Sequence, residues 1–411
     1  MAFSLPSDDL LLEYANTYLL SGMELGPEAF GHVRNDKTIV SKSLLSLATA
    51  FFGIKHTRRD IVLKGLRLYG QSLKDLNQAL SGCPNHLSHM VLETIRLMAI
   101  FECIISERGW LAHILGLQRL FELRGPESIS SESQLRFFEQ SRHCMIVASL
   151  DARIPTILSQ PEWKTIPWRN HLSGKTEINH LDELFAECPA LYITRDHLLK
   201  QDDDDHKVSQ LRALKEAATR LLHQLEQWET NWKLANPNAY SEVAAPSTTP
   251  IIIDNQSQSA PAWLTVFQYQ SRCLAVAAML FNATLIIVLE LICSLPLAKT
   301  DPTDAQVTRP SRLREAGFFI CRSVDCHLPG VGWDKEGLSF AFALGMAYSA
   351  VQATEPAVGD WLKSFVSLFA PCSVNKWTAG LKNYHDKALE DSNKTWPRNE
   401  FLALTSIAAT H

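Results

Sequence analysis

A thiol close to imidazoles can hold a metal or act as a nucleophile, and two such groups occur in the 411 residues. Cys83, His86 and His89 are followed by Glu93 one helical turn beyond His89, so sulfur, nitrogen and oxygen donors of the kind zinc takes could converge. Pro84, however, suits the first position of a helix and leaves Cys83 in the preceding loop. No second Cys/His cluster completes a tetrahedral set, and an ordinary helix start without metal is the expectation. Cys321, Cys326 and His327 form the second group, where a thiolate beside an imidazole would be a nucleophile. Neighbouring side chains on a helix diverge by about 100°, so Cys326 and His327 do not face each other. GxSxG, P-loop, GxGxxG, HExxH and CxxC motifs are all absent, so neither a catalytic residue nor a resident cofactor is assigned.

The stretch Trp110 to Pro126, WLAHILGLQRLFELRGP, says more. Its spacing puts His113, Leu117, Leu120 and Arg124 on one face of a helix that Gly125 and Pro126 end, with Gly116 open to close approach. A buried His or Arg is costly unless paired, which calls for a partner such as Glu93, Glu122 or a backbone carbonyl. Trp110, His113, Arg124, Trp163, Trp168 and Trp333 are the candidates to line a small-molecule site, although the same aromatics equally suit a core.

Elements that could position these residues are nearly all helical. Apolar residues recur at a period of 3.6 over about 8–21, 38–53, 58–81, 87–106, 109–124, 132–150, 180–200, 207–235, 262–295, 311–327, 336–353, 358–370 and 374–391. Pro250 to Ile253 is the longest strand-like run. The expected fold is therefore all-α, a large irregular multi-helix domain. Two breaks divide it: an N-terminal half over 1–200, an acidic linker over 201–206 containing Asp202 to Asp205, and a C-terminal half over 207–411 with a Pro/Ser/Thr-rich loop at 236–261. Leu211, Leu214, Ala218, Leu221, Leu225, Trp228 and Trp232 make a stripe that packing within the chain, or a partner helix, must cover. Leu274 to Leu289 approaches the ~18–20 apolar residues that span a bilayer, but Asn282, Thr284 and Glu290 favour a buried core helix, and no membrane partner is expected.

Composition excludes other classes. With 46% hydrophobic residues, 20% charged, 18 Gly and 19 Pro the chain is globular, not disordered or collagenous. A formal charge of −5 gives no field that would draw it to phosphate backbones, so direct nucleic-acid binding is not expected. Nine scattered cysteines in apolar stretches read as reduced core residues, and MAFSLPSDDLLLEY lacks the features of a signal or transit peptide.

The W-x2-H-x2-G…L-x-x-LRGP pattern at Trp110, His113, Gly116, Leu120, Leu123, Arg124, Gly125 and Pro126 resembles the fungal-specific transcription-factor domain, the helical regulatory region of fungal zinc-cluster regulators. The likeness continues through ARIPTILSQPEWKTIPW (Ala152 to Trp168), the apolar run after Tyr269, and EAGFFICRSVDCHL (Glu315 to Leu328). It implies a body that binds a small-molecule effector, or pairs with a zinc-cluster regulator or a second copy, in the nucleus or alternatively the cytoplasm. The family's zinc cluster needs two CxxC-led cysteine triplets, which these residues do not contain. Regulation of a fungal secondary-metabolite gene set follows by analogy alone, as does the alternative of a cyclase-type enzyme reusing the effector cavity. A gene model missing an upstream exon with the zinc cluster is a third reading.

Overall fold

The computed structural model describes residues 6–20, 38–81, 89–105, 109–169, 171, 174–201, 205–247, 249–253, 259–297, 308–325 and 337–369. Backbone contacts sort them into two compact units divided between Phe137 and Phe138. That division falls inside a helix and not at the acidic stretch.

The first unit holds α1 (Asp8–Tyr18), α2 (Ile39–Lys55), α3 (Arg59–Ser81), α4 (His89–Ile105) and α5 (Gly109–Arg124). Two of these helices start where a hydroxyl can take up an orphan amide: Ser7 accepts from Leu10 N at 3.3 Å and Thr38 from Ser41 N at 3.2 Å. The apolar α2 packs against α1, α3 and α4, and α5 packs on α4. Ion pairs fix the seams, Lys64 to Asp8 at 3.2 Å between α3 and α1, and Lys42 to Asp75 between α2 and α3.

Helix α6 (Glu132–Ala152) runs out of the first unit into the second. Ser131 and Gln134 cap it reciprocally: the serine hydroxyl accepts from Gln134 N at 3.3 Å, and the glutamine oxygen accepts from Ser131 N at 3.1 Å. There follow α7 (Pro161–Thr165), α8 (Glu177–Phe185), α9 (Cys188–Leu199), α10 (Asp205–Ala235), the strands β1 (Tyr240–Ala244), β2 (Ile251–Ile253), β3 (Ser259–Pro261) and β4 (Thr265–Tyr269), then α11 (Arg272–Cys293), α12 (Thr308–Asp325), α13 (Gly337–Val351) and α14 (Pro356–Phe369). Helix α11 is the axis of this unit. Every residue from Ala275 to Leu289 is buried, covered by α8, α9, α10, α12 and α13. The two polar side chains within that run bond inside the helix, Asn282 Nδ2 to Ala278 O at 2.8 Å and Thr284 Oγ1 to Leu280 O at 2.9 Å. The stripe on α10 is covered by α8, α9 and α11 of the same chain, with Trp228 stacked 5.6 Å from Phe281.

The all-α expectation holds, with two corrections. A helix over 180–200 is two helices, because Pro189 cannot donate to a preceding turn and starts α9 anew. A helix over 262–295 begins only at Arg272. Thr265–Tyr269, rich in β-branched and aromatic residues, is instead a strand paired antiparallel with Tyr240–Ala244, Tyr240 opposite Tyr269 and Ala244 opposite Thr265. Pro250 to Ile253 does contribute a short strand, Ile251–Ile253, paired with Ser259–Pro261. The helix expected at 374–391, Trp333, and Asp202 to Asp204 lie outside the described residues.

Candidate functional site

His113 is the candidate around which the first unit builds a polar site. Tyr69 of α3 lies flat on Phe101 of α4, ring centroids 4.1 Å apart and planes 3° from parallel. That stacking aims its hydroxyl between two partners, Glu102 Oε1 at 2.6 Å and His113 Nε2 at 2.8 Å. A phenol has one proton. If it is donated to the carboxylate, Nε2 of His113 must carry the proton it gives to the tyrosine oxygen, which leaves Nδ1 bare. Burial lowers the His113 pKa, only partly opposed by the Glu102 charge, so the neutral ring fits this network. Burial and the same carboxylate push the Tyr69 hydroxyl far up, so it does not ionise near neutral pH. The three groups therefore form a fixed hydrogen-bond chain joining α3, α4 and α5, not an acid–base pair.

The sign of a pH effect follows. A histidine whose folded pKa lies below its ordinary 6.5 leaves the unfolded chain to take up the proton first, so its contribution is complete above pH 6.5 and is lost as pH falls through that value toward the lower folded one. Thermal unfolding between pH 7.5 and about 5.5 is expected to show falling stability that His113→Gln flattens; an unchanged slope in the variant would refute the assignment.

The remaining sequence candidates do not gather here. Trp110, Gly116 and Arg124 are half-buried on the same helix α5. Arg124 makes no hydrogen bond or ion pair among the described residues, and burial alone lowers its pKa. The partners anticipated for His113 and Arg124 are engaged elsewhere: Glu93 lies 3.4 Å from His89 and Glu122 2.5 Å from Arg119. Cys83 and His86 lie outside the described residues, and among the described residues no group of three metal-ligating side chains gathers. Cys326 and His327 are also outside, while Cys321 is buried in α12.

Trp163 and Trp168 belong to the second unit. Both pack on Phe138, at 5.7 and 5.8 Å. Around them lies a polar cluster that spacing did not announce, because its members come from α6, α8 and the turn before α8. Glu139 Oε1 accepts from Trp168 Nε1 at 2.9 Å and from Asn179 Nδ2 at 2.6 Å. Arg142, wholly buried, donates from Nη1 to Asn179 O and Oδ1, both at 3.1 Å. His143 Nδ1 lies 3.3 Å from Asp182 Oδ1, and Lys175 Nζ 2.5 Å from Glu183 Oε1. The sequence clue was available: Arg142 and His143 stand side by side in a helix whose neighbours Cys144 to Leu150 are mostly apolar.

What these features define is a predominantly helical body with buried polar pins, and no CxxC pair to clasp metal for reading DNA. The family model of the fungal specific transcription factor domain matches residues 9–302, and the chain belongs to that family. A stretch of 121 residues is 29% identical to an uncharacterised protein of Emericella nidulans, covering 29% of this chain and 26% of that relative. No solved structure matches.

Proposed function

We propose that these residues form the regulatory body of a fungal transcription regulator, acting in the nucleus by holding an effector or a protein partner, not by reading DNA themselves. The family match across most of the described helices carries this reading. The net charge of −5 and the lack of any CxxC in the 411 residues support the second half of it, since sequence-independent DNA affinity comes from phosphate neutralisation by Lys and Arg. The partner in this reading is a zinc-cluster regulator or a second copy, and the regulated genes are those of a secondary-metabolite pathway.

Two measurements test it together. Tethered to a heterologous DNA-binding module, the chain is expected to raise or lower transcription from a reporter carrying that module's site. Alone, it is expected to give no gel shift on fungal promoter fragments at physiological salt. A silent tethered chain, or tight sequence-specific binding by the untethered one, would overturn the proposal.

A further inference from the structure

Arg142 is an anomaly of charge placement. Its side chain is wholly buried, yet of its nitrogens only Nη1 is satisfied, by the oxygens of Asn179. Among the described residues Nε and Nη2 have no hydrogen-bond partner. These two N–H groups point the same way and make the edge of a guanidinium that grips a carboxylate with two parallel bonds. A buried cation is normally matched by an ion pair. Here each nearby acid is committed to another group: Glu139 to Trp168 and Asn179, Asp182 to His143, and Glu183 to Lys175.

The surroundings narrow the class of ligand. Beside the guanidinium lie the rings of Trp168 at 5.0 Å and Phe138 at 5.9 Å, which suit a flat apolar body. The charges of Asp182, Glu183 and Glu139 all act on Arg142, and Lys175 is paired with Glu183. Surroundings this acidic penalise every added negative charge, and a dianion more than a monoanion. We infer that the Nε/Nη2 edge of Arg142 is the anchor of a small-molecule site in the second unit, taking a monocarboxylate with a planar apolar body and discriminating against phosphate. Since the edge is sealed from solvent, loading it requires the contact between α6 and α8 to open. Occupancy then appears as a gain in stability, because the ligand binds only the folded form.

Thermal unfolding of the purified chain in sodium benzoate tests this, with benzamide, sodium phosphate and matched sodium chloride as comparisons. Benzoate is expected to raise the melting temperature saturably, while its uncharged isostere and phosphate do no more than the salt control. Arg142→Lys keeps the charge without the two-pronged edge and is expected to weaken the benzoate response by about tenfold or more. Arg142→Met is expected to abolish it while melting near the parent temperature, since an unpaired buried charge has been removed. The inference is overturned by a parent protein indifferent to benzoate, by an equal response to benzamide or phosphate, or by an Arg142→Met protein that still responds. Should either variant fail to fold, benzoate against benzamide on the parent chain decides. The outcome is independent of the reporter and gel-shift results.

Discussion

Gly65→Ala is expected to destabilise the first unit by about 2–3 kcal/mol, and the same change at Gly70, five residues further along α3, to stabilise it by about 0.5–1 kcal/mol. The two positions share a helix and an amino acid but not an environment. A methyl on Gly65 would stand 2.8 Å from the backbone nitrogen of Ala50 and 2.9 Å from its Cα, so α2 and α3 would have to part. A methyl on Gly70 would meet nothing within 4 Å and would gain only the helix propensity that glycine lacks.

Helix α3 has little freedom to yield. It follows α2 after three residues, through a turn in which Arg58 N bonds to Gly53 O at 2.8 Å and Thr57 N to Ile54 O at 3.1 Å. Thr57 takes the left-handed conformation there, φ 52°, although a β-branched residue is disfavoured in it. Gly53 is as tightly placed, since its Cβ would lie 2.7 Å from Val62 N. With the hairpin closed at one end and a glycine pressed to the partner backbone further along, Gly65→Val should leave the first unit unfolded. Urea midpoints followed by circular dichroism check both signs, and a stabilised Gly65→Ala protein would mean that the helices are not in contact as described.

The contrast shows which parts of the molecule local pattern could convey. Helix positions were legible because they depend on neighbours in the chain: the stripe from Leu211 to Trp232, and the apolar run of α11 broken only by groups that bond within their own helix. The strand Thr265–Tyr269 was not, because a five-residue run rich in β-branched and aromatic side chains shortly before a long apolar helix blends into its pattern. Only the partner strand 25 residues upstream decides the matter, at Tyr240 to Ala244. The candidate site failed in the same way. Buried His113 could be seen to need a partner, but Tyr69, 44 residues away, comes beside it only once α3 and α5 have both packed on α4. Grouping Trp163 and Trp168 with His113 rested on residue type, whereas the contacts of those tryptophans lie with Phe138, Glu139 and Arg142.

Asp196→Ala is expected to cost the second unit about 2–3 kcal/mol, because the partly exposed carboxylate is the ion-pair partner of the buried Arg195 guanidinium. Asp196 holds two guanidinium groups at once, Arg153 Nε at 2.9 Å and Arg195 at 2.8 Å through Nε and 2.5 Å through Nη2. Both cations lie against the ring of Tyr192, at 4.9 and 4.5 Å, and that fully buried tyrosine donates its hydroxyl to Ile287 O at 3.0 Å in the middle of α11. Without the carboxylate, two like charges are left on one aromatic ring beside the central helix, only partly screened by water. Asp196→Asn, which keeps the shape, should fall between the variant and the parent. The backbone of Arg153 supplies an internal control. It sits just past the end of α6 at φ 55°, where glycine is the usual occupant, and is kept there by its bonds to Asp196 and to the carbonyl of Leu150. In the parent chain Arg153→Gly exchanges relief of strain for the loss of those bonds. In the Asp196→Ala chain the ion pair with Asp196 is already gone, so the same change should raise stability by about 1 kcal/mol, through backbone strain relieved and a like charge taken from beside Arg195. A double-mutant cycle read from urea midpoints should therefore show a coupling of about 1–3 kcal/mol between positions 153 and 196, and additive effects would mean that the carboxylate is not what holds Arg153 in place.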